Sequence, residues 1–337
     1  MKFTFLKKRK FWLRFSGVLI GIPIILFSVV LLIVYINQDE IIQSEVDALN
    51  KGHKGQVFIG DTHLEPFKNF PYISIKVDDV RILESKQKDA QEILNVADIY
   101  LGFNIWDIIE GNYDIKKLLI EDGFFNIVFH KDGSINLQNA FATSDQAGSE
   151  EPMDIHLKKI ELKNLDIHKL DESTGVDVET FIYKASGGFE TASKQINAHI
   201  DTEFKLNVVD NGDTTYINNK HFEFHTDLSL DEKTGMLTLK PSGIRMEHGD
   251  FNIEGTIDLK KDITLDLFIK GTKPNFNMLI AFAPKDLIPV LERYKNAGNI
   301  YFNASLKGPT LHGEMPFFDA KFGASKAFLE NTKIGKR

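Results

Sequence analysis

Residues 251–270 read FNIEGTIDLKKDITLDLFIK, and their spacing sets the fold class. Phe251, Ile253, Gly255, Ile257 and Leu259 fall on every second position, as do Ile263, Leu265, Leu267 and Ile269. A period of two gives a strand with one apolar and one polar face. The same pattern recurs in Ile73, Ile75, Val77; in Ile99, Leu101, Phe103, Ile105; and in Phe125, Ile127, Phe129. It returns in Ile200, Thr202, Phe204, Leu206, Val208; in Phe222, Phe224, Thr226, Leu228, Leu230; and in Ile300, Phe302, Ala304, Leu306. Turn signals at Lys131-Asp132-Gly133, Asn211-Gly212-Asp213 and Glu232-Lys233-Thr234-Gly235 predict antiparallel, meandering neighbours. Helical spacing is confined to Ile105–Glu110 and to Phe276–Lys295, the latter interrupted by Pro284 and Pro289. The chain is therefore mainly β, with a few short helices.

Its N-terminus has a different character. Met1 to Phe15 carries Lys2, Lys7, Lys8, Arg9, Lys10 and Arg14 and no acidic residue. From Ser16 to Ile36 the sequence SGVLIGIPIILFSVVLLIVYI has no charge, and about 20 apolar residues suffice for a transmembrane helix. Asp39, Glu40, Glu45 and Asp47 follow without a basic residue. The asymmetry predicts a cytoplasmic segment at 1–15, a membrane span at 16–36 and an exported remainder. A cleaved signal would have a shorter core and small residues before the cut; the run ends instead at Val34, Tyr35, Ile36, Asn37. Next, Ile41, Ile42, Val46 and Leu49 share a helical stripe, predicting a short amphipathic helix over Asp39–Leu49, capped by Asn37 or Asp39 and stopped at Gly52.

Setting aside the six N-terminal charges leaves 34 basic against 48 acidic residues, a net of −14. That balance argues against nucleic acid as a partner. The absence of cysteine excludes disulfides, thiolate metal sites and cysteine nucleophiles, and is compatible with an oxidising compartment. Ala142–Pro152 (ATSDQAGSEEP) reads as a solvated linker between a β-rich subdomain at 37–141 and a repeated β-strand region at 153–337. Gly308–Phe317 is a weaker boundary, and Phe318–Leu329 starts a further strand pair.

Chemistry is sparse. His221, Glu223 and His225 alternate along one strand and offer three metal ligands, although a solvated strand face explains the spacing better. Asp166, Asp171 and Asp177, or Asp210 and Asp213, lack the spacing of a calcium loop and fit turns. Neither a nucleophile elbow nor a phosphate-cradling loop nor a dinucleotide fingerprint occurs. No catalytic residue, metal or cofactor is predicted.

One apolar face on a long sheet has to be covered by another sheet, by helices, by the sheet itself or by a bound apolar ligand. With few helices, a sandwich, a closed barrel and a curled sheet filled by something greasy remain. Several stretches together resemble the AsmA family of Gram-negative envelope proteins. They are the basic N-terminus with one membrane helix, then Gly55-Gln56-Val57-Phe58-Ile59-Gly60, then Ala97–Ala140 (ADIYLGFNIWDIIEGNYDIKKLLIEDGFFNIVFHKDGSINLQNA). Ile155–Ser173 (IHLKKIELKNLDIHKLDES) is similar to the family's repeated Leu-x-Asn-Leu pattern, and Gly298–Gly308 (GNIYFNASLKG) resembles a further repeat.

The resemblance implies an elongated, curled antiparallel β-sheet with an apolar groove, akin to bridge-like lipid transfer proteins and forming the N-terminal part of a longer member. It implies an inner-membrane anchor at 16–36, the bulk in the periplasm, and a role in moving phospholipid between the membranes. With about 15 to 18 strands at roughly 4.8 Å each, the groove is expected to be on the order of 70–90 Å long. Its expected lining is Ile75, Val77, Leu101, Phe103, Phe125, Ile127, Phe129, Phe251, Ile253, Ile257, Leu265 and Leu267. The alternative is a scaffold with a closed β-sandwich that recruits assembly factors for outer-membrane proteins.

Overall fold

The computed structural model describes residues 9–143, 157–192, 194–215, 217–260, 262–273, 275–284, 287–296, 299–311, 314, 316–325 and 329–331. It opens with one helix, α1 (Arg9–Gly52), whose 44 residues span about 66 Å at 1.5 Å per residue. The membrane span and the amphipathic helix expected as separate elements are thus continuous. Neither Asn37 nor Asp39 caps a new helix, because no glycine or proline interrupts the backbone there. Instead Val30, Val34, Gln38, Ile42 and Val46, four residues apart, form one buried stripe. One helix is long and apolar enough to cross a membrane, over Ile24–Gly52 of the residues with described side chains.

After α1 come β1 (Gln56–Phe58), β2 (Thr62–Glu65), β3 (Ile73–Leu83), β4 (Glu92–Phe103), α2 (Ile105–Ile109), β5 (Ile115–Phe129) and α3 (Asn136–Phe141). Beyond the segment read as a linker lie β6 (Lys159–Asp171), β7 (Val176–Ala192), β8 (Gln195–Asp210), β9 (Asp213–Thr214), β10 (Lys220–Asp231), β11 (Met236–Met246), β12 (Gly249–Asp258) and β13 (Thr264–Gly271). The chain continues through α4 (Asn277–Phe282), α5 (Ile288–Leu291), β14 (Tyr294–Asn296), β15 (Asn299–Gly308), β16 (Phe317–Ser325) and β17 (Leu329–Asn331). Of the predicted linker, residues 144–152 lie outside the described residues. α4 ends just before Pro284, as the proline spacing requires.

Fifteen strands form one open, curled sheet, thirteen of them in the row β1-β3-β4-β5-β6-β7-β8-β10-β11-β12-β13-β15-β16. Thirteen rows at about 4.8 Å span roughly 58 Å, shorter than the expected length because β2 and β9 share rows with other strands and β14 and β17 pair apart in a two-stranded sheet. Neighbours are antiparallel with one correction: β5 and β6 run parallel. The turn at Lys131–Gly133 leads from β5 to a single bridge, Phe129 with Ile135, and then into α3 rather than into a paired strand. The connection from 130 to 158 is long enough to carry the chain back to the start of β5, as a parallel pair requires. Residues on either side of the predicted linker therefore share a sheet.

A row of kinks crosses the first strands. Asp79, Asp122 and Asn164 take positive φ of 49°, 59° and 50°, and the Asn164 amide donates to Asp122 Oδ1 at 2.9 Å. In β7 the register jumps between Ile182 and Lys184, leaving Tyr183 as the extra residue of a bulge. Along this row the apolar face advances by three residues instead of two: Val77 to Val80, Ile99 to Val96, Ile120 to Gly123, Leu162 to Leu165, Ile182 to Ala185. The Leu162-Lys163-Asn164-Leu165 motif is one such step, and its asparagine is what keeps both leucines on the same side. Irregularities of this kind bend and twist a sheet locally, in keeping with its curl.

Candidate functional site: one continuous apolar sheet face

Cross-strand partners share a face of a sheet, so the register assigns every side chain to a side. Ile75 pairs with Leu101 and Leu101 with Leu118; Phe125 pairs with Leu94 and Ile167; Ile253 pairs with Ser242 and Ile269; Leu265 pairs with Ile257. Following these pairs strand by strand brings all twelve predicted lining residues to one face. They do not share one environment, however. Ile75, Val77 and Phe103 are fully buried and, with half-buried Leu101, share a core with Val30, Val34, Ile42 and Val46 of α1. At the other end Phe251 is buried with Met278 and Ala281 of α4, its ring edge-on to Phe282 and Phe302. Buried Lys220 donates to the Ala283 carbonyl at the C-terminal end of α4, tethering this short helix over the face.

Between these two ends most of the apolar side chains are half-exposed, although Leu165, Ile182 and Leu239 are buried. Phe125, Ile127 and Phe129 belong here, as do Ile253, Ile257 and Leu265, while Leu267 is buried. The structure adds Leu162, Ile167, Val178, Phe204, Leu206, Val208, Phe224, Leu228 and Ile244 to the same face, all half-buried. Most of these lie in strands whose alternation is plain in the sequence; the signal that would have selected them as lining is the same period of two. Where β6 ends, the face gives way to Lys169 and Asp171, with Lys169 Nζ 4.8 Å above the Phe129 ring. Near α4 the face deepens into a cavity of about 470 Å³, lined by Ile217, Phe222, Ile244, Met246, Phe282 and Phe318 among others, with Thr215 its one polar residue. That volume is within the usual range of about 300–1,000 Å³ for small-molecule sites.

The opposite face carries a ladder of ion pairs, with Tyr100 and Leu119 buried among them and Phe268, Tyr301 and Phe317 exposed toward its far end. Lys117 and Lys159 meet Glu161 at 3.0 and 2.6 Å, Lys68 and Lys163 both meet Glu121 at 2.9 Å, and Lys184 meets Glu203 at 2.9 Å. Further along, Arg245 reaches Glu223 and Asp250 at 3.4 and 3.1 Å, and Lys273 reaches Asp250 at 2.6 Å. These neighbours set the titration of the carboxylates. A hydrogen bond from Lys184, then one from His221, holds Glu203 below the ordinary glutamate value, and a hydrogen bond from His225 does the same for Asp201. His199 is shifted upward by its hydrogen bond to Asp227 and by the charge of Asp201.

The ladder also disposes of the three candidate ligands on β10. His221 engages Glu203 at 3.1 Å, His225 engages Asp201 at 2.5 Å, and Glu223 faces Arg245, so each side chain has its own partner on an adjoining strand. Ligand atoms of His168, Asp177 and Glu179 lie within 4.8 Å of one another, with His168 Nε2 2.6 Å from Asp177 Oδ1. Asp171 accepts from the Ser173 and Thr174 amides, and Asp210 accepts from Asn211, which are turn roles. No family model matches the chain, and neither a curated protein nor a solved structure matches it.

Proposed function

We propose that this chain is an inner-membrane-anchored periplasmic protein that holds phospholipid acyl chains on its apolar sheet face and passes them along it, toward the outer membrane. The observation that carries the reading is the contrast between the faces. One is apolar from β3 to β16 and largely half-exposed along its middle, whereas the other carries ion pairs from β3 to β13 and holds apolar side chains only in part, Tyr100, Leu119 and Val128 near its start and Phe268, Tyr301 and Phe317 near its end. A row of half-exposed Phe, Leu, Ile and Val side chains is unfavourable in water by roughly 25 cal/mol per Å² of apolar surface, and acyl chains laid along it remove that cost on both sides. Lipid head groups need no such cover and remain at the wet margin, where Lys169 and Asp171 end the apolar row. The basic segment before Ser16 and the acidic one after Ile36 support an N-terminus on the cytoplasmic side. Resemblance to the AsmA family points the same way, and the chemistry asked of the chain is binding and guidance rather than catalysis.

Placing charge in the middle of the face tests the reading. A Phe224→Glu, Ile253→Glu double variant, half-buried at both positions, is expected to retain its fold by circular dichroism while co-purifying phospholipid falls about tenfold or more, since an acyl chain cannot cover an unpaired carboxylate. Unchanged phospholipid in the folded variant contradicts the assignment of this face.

A further inference from the structure

After α1 the chain doubles back along it. Asn50 exchanges two hydrogen bonds with the backbone of Val57, Thr62 donates to Asp39, and the Phe67 ring lies 6.2 Å from that of Phe27. The contacts thus descend α1 from residue 50 to 39 to 27. Phe27 is nine residues below Ile36, or about 13 Å at 1.5 Å per residue, inside the uncharged run that begins at Ser16. In addition, Val30 and Val34 are buried in the domain's core rather than free to face lipid. The upper part of the apolar run is therefore occupied by protein, and the end of the sheet hangs at membrane depth.

That end carries bare aromatic and aliphatic side chains. Phe67 and Phe70, in the loop before β3, are 70% and 75% exposed; Trp106 and Ile109, on α2, are 66% and 51% exposed. Tyr113 and Ile115 at the start of β5 are also exposed. Strand register places them together, because Ile73 pairs with Phe103 and Phe103 with Ile115, while α2 touches α1. Charges at this end are largely paired within the domain: Lys68 with Glu121 at 2.9 Å, and Lys116 with Asp107 and Asp114 at 3.2 and 3.0 Å. Glu65 and Glu110 remain exposed and set a limit to the depth.

We propose that this aromatic end is a membrane seat: it enters the near leaflet of the same bilayer that α1 crosses, with Phe67 at acyl depth beside Phe27 and with Phe70 and Trp106 in the interfacial layer. The inference rests on the membrane-anchor reading of α1. Aromatic rings favour that layer, and apolar groups of interfacial elements reach about 5–10 Å into it. Seating this end brings the first strands to the bilayer, with the face at Phe103 and Leu101 covered by α1 and the half-exposed face beginning farther along the sheet.

The chain has two tryptophans, Trp12 and Trp106. Full-length protein carrying Trp12→Phe, reconstituted in phosphatidylcholine vesicles, reports on Trp106 alone. Replacing the lipid by one brominated near the top of its acyl chains is expected to quench Trp106 emission roughly twofold, as for a ring held at the interface, and Phe67→Ser with Phe70→Ser is expected to reduce that quenching. Unquenched Trp106 that is fully open to aqueous iodide, in protein that still floats with the vesicles, overturns the seat and spares the anchor. Protein that fails to float overturns both.

Discussion

At the scale of single residues, the apolar face depends on a few backbone positions that keep it continuous. Gly255 has φ of +142°, and a Cβ there would lie 2.1 Å from the Asp266 carbonyl oxygen on β13. Gly255→Ala is expected to cost about 2–4 kcal/mol, combining a disfavoured conformation with displaced strand pairing; denaturant unfolding measures it. Gly123, whose added Cβ would meet the Asn95 carbonyl at 2.2 Å, is constrained by close approach in the same way, at the row of kinks. Gln38 is a different case. It interrupts the apolar stripe of α1, is buried, and its side-chain oxygen has no hydrogen-bond partner among the described residues. Gln38→Leu is expected to stabilise the fold by about 1 kcal/mol, since an unsatisfied buried acceptor is replaced by an apolar contact; an unchanged or lower unfolding midpoint contradicts this. Asn164 and Asp122 show why sequence reading stops where it does: residues that tolerate positive φ are read as turn signals, yet here they lie within long strands.

At the scale of elements, strand identity was legible because alternation survives on both sides of each kink. From Ile200 to Leu230 the predicted apolar positions coincide with the apolar face without exception. Strand direction was less legible. Nothing local in Lys131–Gly133 distinguishes a hairpin from the turn into α3, and the parallel pairing of β5 with β6 depends on the length of the connection rather than on its composition. The continuity of α1 was hidden by the acidic cluster Asp39–Asp47, which looks like the start of a helix, although the four-residue spacing of Val30, Val34, Gln38, Ile42 and Val46 was present to be read. This element also bears on how the protein can be cut. Removing residues 1–36 takes Val30 and Val34 out of the core, so the truncated domain is expected to lose about 2–5 kcal/mol relative to the full chain, by the cost of emptying two buried side-chain sites; thermal unfolding of both forms compares them.

At the scale of the whole molecule, the two faces respond to different solution conditions. The depressed carboxylates, Glu203, Asp201, Glu121 and Asp250 among them, contribute stability above the ordinary carboxylate range near 4 and lose it as pH falls through their lowered values. His199, shifted upward, contributes below about 6.5 and loses its contribution as pH rises through its folded value. The unfolding midpoint is therefore expected to fall below pH 4 and to change little from 5 to 6. Exposed pairs are individually weak and screened by salt, so 1 M salt is expected to flatten the profile. Lipid occupancy follows the other face and is expected to be indifferent to salt. The most direct measurement is photo-crosslinking in intact cells, with a benzophenone amino acid placed singly at Phe224, Ile253 or Glu223, the first and last being adjacent residues of β10 on opposite faces and Ile253 lying two strands away in β12. Phospholipid covalently attached at Phe224 and Ile253 but not at Glu223 is the predicted result. Equal labelling at all three, or none on the apolar face, contradicts a lipid-bearing groove.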